Sequence, residues 1–163
     1  MSTFISISIE IKESSLLDNS FQRTSDVTEF YKAIGDLIKK ENSKKYSFEK
    51  SSILFPLIDN LKDLQEHKGK KILVLYSDLA EFSQIYNSYK LSRLNSANPQ
   101  AVAREINTKI EIQNLTNTTL YILYYPNTEA QNTHFKFMLA VYKELFKTSG
   151  LTIKVGIENQ INY

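Results

Sequence analysis

The chain has 163 residues, about the size of one domain, and its 20 basic and 18 acidic side chains leave a net charge of +2. That balance excludes a strongly basic nucleic-acid binder and gives no pull toward an anionic membrane. The absence of cysteine excludes a disulfide framework and a thiolate metal site, and fits a reducing, cytoplasmic setting.

The N-terminus, Met1 to Glu10, has neither a basic n-region nor an unbroken apolar h-region, so it does not read as a signal peptide. No apolar run approaches the roughly 18 residues a membrane helix needs. Residues 4–11 alternate, with Ile5, Ile7, Ile9 and Ile11 on one side, which predicts a half-buried strand, at a sheet edge or with one face only partly covered. A polar loop follows. Asp26-Val-Thr-Glu29 reads as a capping box, and Val27, Phe30, Tyr31, Ile34, Leu37 and Ile38 predict a helix over 27–40. Residues 41–50 form a lysine-rich polar connector.

Ser51 and Ser52 offer N-caps for a helix over 53–66, striped by Ile53, Leu54, Leu57, Ile58, Leu61 and Leu64. Lys71-Ile-Leu-Val-Leu-Tyr-Ser-Asp78 is the organising stretch. Its unbroken apolar run, Ile72 to Tyr76, predicts a strand buried on both faces, as in a parallel sheet. Phe82, Ile85, Tyr86 and Tyr89 then stand at helical spacing. Asn98-Pro99 opens another helix, reaching about Gln113. Residues 119–125 form a second buried strand, residues 133–148 a helix stopped at Gly150, and residues 151–157 an alternating final strand.

This order predicts one α/β domain over 1–163 with a mainly parallel sheet in a three-layer α/β/α, Rossmann-like arrangement. Strands 71–77 and 119–125 are expected at its centre. Ligands of such sheets bind outside the carboxyl ends of the strands. One such end here carries Ser77 and Asp78.

From Ser51 to Ile157 the chain resembles a von Willebrand factor A-type domain. Ser51-Ser-Ile-Leu-Phe-Pro-Leu57 is similar to that family's helix-opening T-D-I-x-x-A-L, and Lys71–Asp78 to its strand ending in T/S-D. Leu120–Tyr125 and the unit from Phe135 to Leu151 resemble two later elements. The resemblance implies a divalent cation at the sheet rim, Mg or Mn, with Ser51 in the place of the family's Thr and Asp78 in that of its last Asp. The family's D-x-S-x-S loop is absent; Lys12-Glu-Ser-Ser15 has the wrong spacing. Either the chain begins after the family's first strand, with residues 3–12 as an edge strand, or residues 3–12 are that strand with a degenerate metal loop. Strict alternation favours the former, leaving a gap that a partner or a swapped segment would fill.

A hard cation wants about six oxygens, and only Ser51 and Asp78 are nameable. The simpler reading is that Asp78 caps a turn and Ser51 its own helix, so no cofactor is expected. Asp59, Asp63 and His67 fit a solvated helix face, His134 has no catalytic motif beside it, and the lysines of 39–50 read as a solvated connector. The four glycines are isolated, which argues against a phosphate-binding loop. The expectation is a non-catalytic protein-binding or assembly domain, possibly self-associating, with no nucleic acid or membrane partner. Its candidate rim is Ser51, Ser52, Ser77, Asp78, Glu81, Tyr86, Tyr89 and the loop after Tyr125. The competing expectation is a receiver-like sensor or metal-dependent enzyme centred on Asp78.

Overall fold

The structure is a computed structural model that describes residues 28–29, 31–33, 35–36, 39–40, 51–90, 98–124 and 126–156. The chain divides into two compact units, Thr3–Glu49 and one that includes Lys50–Tyr163. In the smaller unit the described residues between 28 and 40 are helical, as their spacing predicts, and Tyr31 is half exposed. The strand expected at 4–11, Asp26 and the connector at 41–50 lie outside the described residues.

In the larger unit the elements alternate as α1 (Leu54–Gln65), β1 (Lys71–Tyr76), α2 (Pro99–Asn107), β2 (Thr118–Leu123), α3 (Glu129–Leu145) and β3 (Thr152–Gly156). Among the described residues the sheet has the order β1-β2-β3 and both pairings are parallel. The α/β class with a parallel sheet is therefore what the chain adopts. Among the described residues, no helix is long and apolar enough to cross a membrane.

The register sorts the strand residues into two faces. Leu73, Leu120 and Ile153 align, as do Leu75, Ile122 and Val155; on the other face Val74 aligns with Tyr121 and Lys154. The two crossovers step in one direction, and the right-handed rule for such connections places α2 and α3 on the same face. The two helices pack against each other. Leu120, Ile122, Val102, Ile106, Met138, Val141 and Tyr142 meet there as the core. Each such large apolar side chain taken out of water contributes roughly 1.5–3 kcal/mol. Helix α1 adds Leu54, Leu57, Ile58 and Leu61. Its C-terminal end is tied to the strand starts: Gln65 Nε2 donates to Thr118 Oγ1 at 3.1 Å, and Lys71 Nζ donates to Gln65 Oε1 at 2.9 Å.

Four expectations need correction. First, β1 is not enclosed on both faces. It pairs only with β2 among the described residues, and Ile72, Val74 and Tyr76 are exposed along its outward face. The apolar run reported a strand, but not that this side of it stays exposed. Second, residues 79–90 form no helix. Leu79 takes a positive φ of 60°, outside the right-handed helical region, and Phe82 makes antiparallel bridges with Ser51 and Asn87. Third, neither Ser51 nor Ser52 caps α1. The N-cap position is Ile53, with no side-chain cap of its own. Fourth, α2 ends at Asn107 rather than near Gln113, because Lys109 N–H turns back to the Ile106 carbonyl.

Helices α2 and α3 do cap themselves. Asn98 accepts from Gln100 N–H, with Pro99 in the first turn, and Thr128 accepts from Gln131 N–H.

Candidate functional site

The carboxyl ends of β1 and β2 and the amino-terminal ends of α1 and α3 meet along one rim, as parallel α/β topology requires. Ser77 and Asp78 leave β1 there. Each turns the chain by accepting the amide two residues on: Leu79 N–H to Ser77 Oγ at 3.0 Å and Ala80 N–H to Asp78 Oδ1 at 3.0 Å. These local bonds offer the backbone an alternative to helix. They hold Leu79 in its left-handed conformation, which costs about 1–2 kcal/mol, with its side chain fully buried. Asp78 thus caps a turn, as the simpler reading had it.

The segment from 81 to 90 continues as a folded strap. Ser83 N–H donates to the Tyr86 carbonyl at 3.0 Å, and Ser88 N–H to the Glu81 carbonyl at 2.8 Å. Ser83 Oγ accepts from Ile85 N–H and Asn87 Oδ1 from Tyr89 N–H. The strap is laced to the start of α1 through paired backbone bonds between Ser51 and Phe82, at 3.2 and 2.6 Å. Ser51 therefore contributes backbone, not a cap, to the rim.

Glu81 is 0% exposed and supplies the cap that α1 lacks. Its Oε2 accepts from Ile53 N–H at 2.8 Å and Leu54 N–H at 3.1 Å. A carboxylate at a helix N-terminus satisfies orphan donors and meets the positive end of the dipole. Glu81 Oε1 has no protein partner, and neither has the hydroxyl of Tyr142. The Tyr142 phenol is held well above its usual pKa, first by burial and then by Glu81 and Asp78.

The outward part of the rim is aromatic. Tyr76 is 73% exposed and Tyr89 is 54% exposed, with Phe82 and Asp78 also at the surface. Tyr89 meets Phe82 edge-on at 6.2 Å between centroids and His134 edge-on at 5.6 Å. Tyr124, one residue past β2, packs on Phe135 at 5.0 Å. One charge presides over this row. Burial raises the phenol pKa of both Tyr89 and Tyr124, and the Asp78 carboxylate raises it further. His134 is pulled below its usual pKa by burial of the ring, with Asp78 pulling the other way, and its buried Nε2 has no hydrogen-bond partner.

Of the sequence-picked residues, the fold brings Ser51, Ser77, Asp78, Glu81 and Tyr89 to this rim. Ser52, next to the bridged Ser51, is partly buried. Glu81 and Tyr86 are buried, so they shape the rim from below without lining it. Tyr125 lies outside the described residues. Asp59, Asp63 and His67 are all exposed, in keeping with a solvated face. Sequence reasoning read Tyr76 and Tyr124 as core on central strands and weighed His134 only as a catalytic group, so none of them entered the candidate rim; Tyr76 is instead 73% exposed. The available signal was positional: residues just past parallel strands, and the first turns of the helix that follows, sit at the ligand-binding end of such sheets.

Among the described residues, no group of three or more His, Cys, Asp or Glu stands close enough to hold a metal ion. A surface groove of about 480 Å³ lies at the opposite end of the strands, lined by Gly69, Lys70, Asn117, Thr118, Thr119 and Thr152. Its lining holds no carboxylate or imidazole. No family model, curated protein or solved structure matches this chain.

Proposed function

We propose that this chain is a non-catalytic protein-binding domain of von Willebrand A-type character, and that its docking surface is the carboxyl-end rim of the sheet. The observation that carries the reading is the exposure of Tyr76 and Tyr89 beside Asp78. Large aromatic side chains left in water at one edge are what protein interfaces bury at their centres. The outward face of β1 extends the same surface, since Ile72 and Val74 lie in line with Tyr76. Support for the family character is the strand ending in Ser77-Asp78 and the bridge that sets the start of α1 against the strap. The partner is another protein, with a second copy of this chain as one candidate.

The test is site-specific crosslinking in the host cell. A photoreactive benzoylphenylalanine in place of Tyr89 is expected to give a discrete adduct, and the same probe in place of Asp59, on the solvated face of α1, is expected to give none. An adduct at twice the chain mass identifies self-association. Equal adducts from both positions, or none from Tyr89, overturn the reading.

A further inference from the structure

We infer that the rim takes an arginine side chain of its protein partner, its guanidinium paired with the Asp78 carboxylate and laid against the rings of Tyr89 and Tyr124. This rests on the docking reading above and adds the chemistry of what docks.

Asp78 is exposed, and among the described residues its side chain makes one hydrogen bond, accepting from Ala80 N–H at Oδ1. Among the described residues it forms no ion pair; those present join Lys109 to Glu105 and Lys147 to Glu144. A carboxylate at a rim of phenol rings, paired with no cation among the described residues, makes an electronegative patch. The ring faces add to it, because an aromatic quadrupole is negative above the plane. Ser77 N–H donates to the Leu123 carbonyl at 3.1 Å, so Asp78 and Tyr124 leave neighbouring strand ends, and Tyr89 meets His134 in α3, the helix that follows Tyr124; the Asp78 carboxylate raises the phenols of both tyrosines.

The patch suits an organic cation better than a metal ion. A hard divalent cation needs several converging oxygens, and the described residues gather no such group of acids and imidazoles. A guanidinium needs one carboxylate and a flat aromatic surface. It is weakly hydrated, presents a planar fork that matches a carboxylate, and stacks on aromatic rings; an ammonium does the first two poorly and has no plane to stack. Tyr89 is positioned for this. Both of its ring neighbours meet it at steep angles, 77° and 80°, rather than in parallel stacks, and the residue is 54% exposed.

The experiment uses the full chain and a short probe, N-acetyl-glycyl-arginyl-glycinamide, followed through the ring resonances of Tyr89, Tyr124 and His134. Saturable shifts in the millimolar range are expected. Replacing arginine with citrulline, its uncharged near-isostere, is expected to weaken binding at least about tenfold, as loss of a charge-assisted bond should. Asp78→Asn is expected to do the same; it keeps the acceptor for Ala80 N–H, and an unchanged amide spectrum verifies the fold. A citrulline probe that binds equally well overturns the arginine assignment while leaving the docking surface standing. A lysine probe of equal affinity also overturns it. Absence of ring shifts with any probe defeats the inference, and the crosslink from position 89 then judges the docking surface independently.

Discussion

Residues 54–65 and 79–90 carry the same kind of apolar spacing, and only the first is a helix. In α1, Leu54, Leu57, Ile58 and Leu61 line one buried stripe. In the strap, Leu79, Ile85 and Tyr86 are buried too, yet the backbone turns back on itself. The difference lies in short polar side chains placed two residues before an amide they can capture. Ser77, Asp78, Ser83 and Asn87 each do so. In α1 the corresponding polar residue, Asn60, instead donates back four residues to the Pro56 carbonyl, a bond that a helix permits. Apolar spacing thus reports which side chains will be buried. It does not by itself choose the backbone that buries them.

The two segments meet at Glu81, and removing that side chain should have the largest effect. Glu81→Ala leaves two buried amides at the start of α1 without acceptors and deletes the charge that answers the helix dipole. The expected cost is about 3 kcal/mol, read as a lower urea midpoint at unchanged m-value. Glu81→Gln keeps an oxygen for the amides and loses only the charge, so it should cost less than half as much. An alanine variant within about 0.5 kcal/mol of the parent chain would mean that the strap does not support α1.

A smaller effect is expected where a helix caps itself. Asn98→Ala removes the side chain that accepts Gln100 N–H at the start of α2, an exposed site where water can substitute. It should cost about 1 kcal/mol, with Asn98→Ser nearly neutral. If thermal unfolding finds this loss as large as that of Glu81→Ala, burial of the remote cap adds nothing, and the contrast between the helices fails.

How far these features could be read beforehand follows from the same physics. The helices at 54–65, 99–107 and 129–145 and all three strands of the larger unit lay in stretches whose period or apolar run marked them. Caps made within a few residues were legible too: Asn98 with Pro99 was readable as a helix start. The cap on α1 was not, because its acceptor lies 28 residues from the amide it serves. The exposure of Ile72, Val74 and Tyr76 was equally hidden. An unbroken apolar run says that both faces avoid water, while what covers each face is settled by elements far away in the chain. At the rim, Ser77 and Asp78 were found from strand-end position alone. Tyr86 and Tyr89, three residues apart, looked equivalent; the turn at Ser83–Asn87 sends the first into the core and leaves the second outside.

The smallest expected effect joins the strap to α3 through His134. Burial disfavours the charged imidazole, so its pKa lies below the usual value near 6.5, and Asp78 counters part of that depression. As pH falls through 6.5 the unfolded chain takes up this proton first, while the folded chain stays neutral until its lower pKa is reached. Within that window the unfolded state binds more protons, so folding stability declines on acidification, and the loss is complete below the folded pKa. The ring is only partly buried, so the change is small and best read site by site. The Hε1 resonance of His134 should titrate below 6.5 in the parent chain. In Asp78→Asn the upward pull disappears, and the midpoint should fall further. A midpoint that Asp78→Asn leaves unmoved would show that the Asp78 charge does not reach His134 and would count against the surface on which the proposed arginine site depends, whereas one at or above the ordinary value would show that burial does not dominate at this ring.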